Sequence, residues 1–122
     1  MATPKVPTPE FTRTFAAATR QFWPFRVACW ALGVKEQTVK RWLRRGESAA
    51  PGDERYAAFR RAYTEAHDAA LAEVIARVVE LAEGPNRSIG ADAAAVLRKW
   101  ARENPTRCPG LPDRFRVPGG KA

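Results

Sequence analysis

From Glu54 to Glu83 the chain runs "ERYAAFRRAYTEAHDAALAEVIARVVELAE" without a proline or glycine. Nothing else in the sequence constrains the fold as strongly. Helix formers fill the stretch, and no strand-length alternation of apolar and polar residues interrupts it. Tyr56, Phe59, Tyr63, Ala66, Ala70, Val74 and Val78, with Ile75 and Leu81 beside the last two, recur every three or four residues. At about 1.5 Å per residue such a helix is roughly 45 Å long. A domain of this size cannot bury it whole, so its apolar stripe needs a partner within the chain or in another subunit. Tyr56, Phe59, Tyr63, Ala70, Val74, Val78 and Leu81 are the expected oligomerisation residues.

The rest of the sequence reads as helices and tails. Residues 1–9, "MATPKVPTP", are proline-rich and read as a disordered arm. Thr8, Pro9 and Glu10 form a helix start: a hydroxyl cap, a proline in the first turn and an acid at the positive dipole end. That helix is expected to reach about Phe22 or Trp23, with Phe11, Phe15, Ala18 and Phe22 on one face. Pro24 opens a shorter helix that Gly33 ends, and a third runs from about Lys35 to Arg45, stopping at Gly46. Residues 47–53 read as a linker. After the loop at Gly84-Pro85, Ser88 or Asp92 can cap a last helix ending near Asn104-Pro105. Its apolar face is Ile89, Ala93, Val96, Leu97 and Trp100, and it pairs with the long helix as an antiparallel hairpin over residues 54–104. Residues 105–122, rich in proline and glycine, read as an extended basic tail. The expected class is all-α.

Charge divides the chain. Residues 1–46 carry nine Lys/Arg against two Glu (+7), residues 47–104 eight against ten (−2), and residues 105–122 four against one (+3), which gives the net +8. Positive charge concentrated in one module suits a polyanion such as nucleic acid.

The basic module carries a helix-turn-helix pattern in "ALGVKEQTVKRWLRRG". Cys29 is the small residue where two helices cross. Ala28, Leu32 and Val34 flank the turn, and Val39 and Trp42 point inward from the second helix. Gly33 suits the turn because it takes φ > 0 without a Cβ clash. Lys35, Glu36, Gln37, Thr38, Lys40, Arg41, Arg44 and Arg45 then fall on exposed or flanking arcs, and all of these but Glu36, together with Arg26, are the expected DNA-binding residues. Gln37 can pair with adenine, and Lys40 or Arg41 with guanine. Arg26, Arg44 and Arg45 are placed for phosphates. Glu36 either accepts from cytosine or favours the helix N-terminus.

From the turn onward, "ALGVKEQTVKRWLRRGE", followed by the aromatic-led long helix and by "ADAAAVLRKWARENPTRC", resembles the small terminase subunits of tailed bacteriophages. The order of elements over residues 25 to 108 carries the resemblance. It implies a helix-turn-helix domain over residues 10–46 that binds viral double-stranded DNA at a packaging site. It implies a homo-oligomeric ring built on the hairpin, and transfer of the DNA to the large terminase subunit, which holds the ATPase and nuclease. Gln37, Thr38, Lys40, Arg41, Arg44 and Arg45 would be the DNA-binding residues, the helix from Glu54 to Glu83 the oligomerisation element, and the basic tail after Pro105 a dock for the large subunit. A dimeric transcriptional regulator or excisionase-like factor is the alternative, though residues 47–53 make a poor β-wing.

No enzyme, cofactor or metal reading emerges. His67 is the single histidine and Cys29 and Cys108 lie far apart, so neither supplies a ligand set. The carboxylates of the long helix alternate with basic residues, as a solvated face does. "EGPNRSIG" lacks phosphate-loop spacing. Without a secretory or membrane-spanning run, the expected location is the cytoplasm, that of a bacterial host on the phage reading.

Overall fold

Thr8 opens the first helix of the computed structural model, its hydroxyl accepting from the Phe11 amide at 3.0 Å. The structure describes residues 5–48, 50–106 and 108–116. The order is α1 (Pro9–Arg20), α2 (Phe25–Ala31), α3 (Glu36–Arg45), α4 (Glu54–Ala82) and α5 (Arg87–Glu103), then one 3-10 turn at Asp113–Phe115. The protein is all-α, with no strand among the described residues. The chain divides into two compact units, Met1–Ala70 and Leu71–Ala122.

The first unit is built on aromatic residues. Phe11 meets the Trp42 ring edge-on at 5.4 Å and stacks on Phe15 at 5.6 Å. Phe59 packs against Phe11, Phe15 and Trp42, and Tyr63 against Phe15 and Phe25. Such pairs add about 0.5–1.5 kcal/mol each beyond area burial. Ala28, Cys29, Val34 and Val39 complete this core. The N-terminal arm joins it as well: Pro7 is fully buried and Val6 packs against the cluster. The expected disorder over residues 1–9 is therefore corrected from Val6 onward, because two apolar side chains gain more from burial than the short arm loses in freedom. Residues 1–4 lie outside the described residues.

α1 and α2 end in the same way. After α2, the Val34 amide donates to the Cys29 carbonyl and the Gly33 amide to Trp30, with Gly33 at φ +73°. After α1, the Trp23 amide donates to the Ala18 carbonyl and the Phe22 amide to Thr19, with Phe22 at φ +70°. Both are Schellman closures, in which the residue with positive φ is usually glycine. α1 thus stops at Arg20, and Phe22 is exposed rather than on the buried face.

In the second unit, Ile75 of α4, Leu97 and Ala101 of α5, and Cys108, Leu111 and Phe115 of the following segment form one core. Gly90 lets α5 approach the end of α4: a Cβ there would stand 3.1 Å from the Ala82 carbonyl oxygen. The cap of α5 is Asn86, whose Oδ1 accepts from the Ile89 amide at 3.0 Å, rather than Ser88 or Asp92. Gly90, Ala93, Leu97 and Ala101 face inward, whereas Ile89, Val96 and Trp100 are exposed. The extended tail is corrected over residues 105–106 and 108–116. Cys108 Sγ donates to the Asn104 carbonyl at 3.0 Å, and Arg114 pairs with Glu83. Three buried apolar residues hold the segment back against the helices. The tail's residues 107 and 117–122 lie outside the described residues.

Candidate nucleic-acid interface

α3 is strongly two-sided. Val39 and Trp42 are buried, and Leu43 packs against the same core. Gln37, Lys40, Arg41 and Arg44 recur at three and four residues, which holds them within an arc of about 100°. All four are exposed, as are Lys35, Arg45 and, on α2, Arg26; Thr38 is half-buried. The eight residues expected to meet DNA thus all belong to α2, α3 or the turn between them, and seven reach solvent.

Their electrostatic states differ. Glu36 sits between Arg26, whose Nε donates to Oε1 at 3.1 Å, and Lys40, whose Nζ lies 3.2 Å from Oε2. The hydrogen bonds from Lys40 and then Arg26 hold the Glu36 carboxyl below the usual carboxylate range. Glu36 thereby links α2 to α3 and partly neutralises two of the cations. Arg45 is engaged by α4 and the residue before it: Nε donates to Asp53 Oδ1 at 2.9 Å and the guanidinium lies 4.5 Å over the Tyr56 ring. These contacts brace α3 against the start of α4, while 57 % of the Arg45 side chain stays exposed. Among the described residues no ion pair engages Lys35, Arg41 or Arg44.

The support beneath the strip is specific. Arg60 Nη1 donates to the Leu43 carbonyl at 2.9 Å, and its Nη2 lies 3.3 Å from Glu47. A cation at the C-terminal end of α3 also suits the helix dipole. Cys29 is wholly buried below the turn, and burial, then the nearby Glu36 charge, pushes its thiol up to about 11. It is a packing residue, not a nucleophile. On sequence, Trp23 and Trp30 read as core or interface residues rather than base-stacking platforms; in the structure they are exposed together with Phe22 and Val27, Trp30 by 70 %. The available signal was that Val27 and Trp30 lie out of register with buried Ala28 and Cys29.

The expected oligomerisation residues separate into groups. Tyr56 and Phe59 are buried in the first unit's own core, which corrects their assignment to a subunit interface, and Tyr63, half-buried, packs against that core. Ala70 is buried, and Val78 packs against the second core. Val74 and Leu81 are exposed, as are Ile89, Val96 and Trp100 of α5. Leu81 and Ile89 also line a surface pocket of about 420 Å³ with Arg77, Glu80, Gly84, Pro85 and Asn86.

Among the described residues no group of three or more His, Cys, Asp and Glu could hold a metal ion, and no helix is long and apolar enough to cross a membrane. Compared with protein-family models, with curated proteins and with solved structures, the chain matches none.

Proposed function

We propose that the chain binds double-stranded DNA through α2 and α3 acting as a helix-turn-helix, with α3 in the major groove. The observation that carries this reading is the strip of Gln37, Lys40, Arg41 and Arg44 along one side of α3, backed by the buried Val39 and Trp42. Arg41, Arg44 and Lys35 hold no ion pair within the described residues, so their charges are available to phosphates or guanine edges.

The resemblance to small terminase subunits gives this binding its context: recognition of a viral packaging site, assembly into a ring and delivery of DNA to the large subunit. The exposed apolar residues Val74, Leu81, Ile89, Val96 and Trp100 support assembly through the second unit. A winged regulator would place a β-hairpin after α3, and the described residues between α3 and α4 contain no strand.

The test is titration of duplex DNA at several salt concentrations. Binding through about three phosphate contacts gives a log–log slope near −2.7, at about 0.9 per contact. Arg41→Ala with Arg44→Ala should flatten the slope and leave assembled mass unchanged. Salt-independent binding, or affinity indifferent to both substitutions, overturns the reading. Native mass spectrometry separates ring from dimer, and a dimer favours the regulator.

A further inference from the structure

An aromatic stripe on α2 and the corner before it leaves much of its surface to solvent. Phe22, Trp23, Val27 and Trp30 all stand exposed. Among the described residues, the side chains of Phe22, Trp23 and Trp30 make no ring contact or hydrogen bond. The corner also holds Phe22 at φ +70°, a conformation that a bulky side chain rarely adopts. The equivalent position after α2 is Gly33. Backbone strain that displays an exposed ring points to a contact outside the chain.

Charge and position indicate the partner. Arg26 and Trp30 are four residues apart and so share a face of α2. Arg26 bonds Glu36, and Glu36 bonds Lys40, so the stripe is continuous with the α3 strip. The acid at this junction, Glu36, is already engaged by two cations, and Lys35 stands beside it unpaired. Exposed aromatic faces interleaved with cations match nucleic acid whose bases are unstacked. An acidic peptide would use the cations but has no need of two exposed indoles.

We propose that Phe22, Trp23, Val27 and Trp30 form a stacking surface for unpaired bases, so that α3 holds a duplex while α2 holds an adjoining single strand. This rests on the DNA reading above and adds the kind of substrate: a duplex with a flared or overhanging end.

The experiment compares a blunt duplex of about 20 base pairs with the same duplex carrying an overhang of about six nucleotides, by fluorescence anisotropy. The wild-type chain should prefer the overhang by about tenfold or more, since each stacked base is worth that order. Trp30→Ala should abolish the preference and leave blunt-duplex affinity intact, while Trp30→Phe keeps most of it. Circular dichroism checks folding, which an exposed indole should not affect. Equal affinity for the two duplexes, or equal loss on both in Trp30→Ala, overturns the proposal and leaves the DNA reading standing. A change in assembled mass with DNA affinity unchanged also overturns it, making the stripe a protein contact. Failure to bind either duplex at low salt overturns both.

Discussion

Arg45 Nε donates to Asp53 Oδ1 at 2.9 Å, a bond that ties the last turn of α3 to the residue before α4. The same guanidinium lies over Tyr56. Neighbouring arginines of one helix therefore have different surroundings. Arg44 is exposed without an ion pair, whereas Arg45 pairs with Asp53.

This division predicts opposite phenotypes. Arg44→Ala should lower duplex affinity and reduce the salt slope by about one, with little effect on melting. Arg45→Ala should lower stability by about 1 kcal/mol, because the ion pair is half exposed and the ring contact modest. It should leave the salt slope within error. Paired thermal melts and salt titrations decide the matter. A slope that falls equally in both variants would place Arg45 among the DNA contacts.

Two glycines should fail for different reasons. Gly33 has open space around its missing Cβ but takes φ +73°, so Gly33→Ala meets backbone strain alone, about 1–2 kcal/mol. Gly46 has ordinary φ, but a Cβ there would overlap the Tyr56 carbonyl oxygen and stand 2.8 Å from Arg60 Cβ. Relief requires α3 to move off α4, which disturbs the Arg60 bond to Leu43. Gly46→Ala should cost about 1–3 kcal/mol, as overpacking does. In urea melts, Gly33→Asn should recover part of the Gly33→Ala loss because asparagine tolerates positive φ. Gly46→Asn should be no better than Gly46→Ala.

Much of the first unit is legible in the residues. The Thr8 cap, the positive φ at Gly33 and the inward Val39 and Trp42 each follow from a local rule about a hydroxyl, a missing Cβ or a helical repeat. Two misreadings share another cause. Proline density at residues 1–9 and 105–122 argues against a helix, but it says nothing about whether single apolar side chains bury. Val6 and Pro7 do, and so do Cys108, Leu111 and Phe115. The long stripe misled for a third reason. Periodicity marks an apolar face without saying what covers it, and Phe11, Phe15 and Trp42 cover its aromatic end from within the chain.

Glu36 restrains the cationic strip. Its carboxyl lies below the usual range because Lys40 and Arg26 bond the charged form. The stabilisation is thus complete above the ordinary carboxylate pKa and is lost as pH falls through the lowered folded value. Glu36→Gln should release both cations at neutral pH. Duplex affinity should rise, and the salt slope should steepen by up to about two contacts' worth. The variant should also lose the part of the acid-limb stability change that Glu36 contributes. Weaker binding in Glu36→Gln would show instead that the carboxylate contacts the ligand directly, as a cytosine reader does.

Phe22→Gly tests whether the strained corner is kept for stability. Deleting a half-exposed phenyl forfeits about 1 kcal/mol of burial. Releasing the left-handed conformation returns about 1–2 kcal/mol, and the freer unfolded chain takes back about 0.5–1. These terms nearly cancel, so the variant should melt within about 1 kcal/mol of the parent. Phe15→Ala is the contrast: the ring is fully buried against Phe11, Phe25, Phe59 and Tyr63, and its loss should cost about 3–5 kcal/mol. On the stacking proposal, Phe22→Gly should nonetheless weaken the preference for an overhanging duplex. A large loss of stability in Phe22→Gly would make the ring a structural cap.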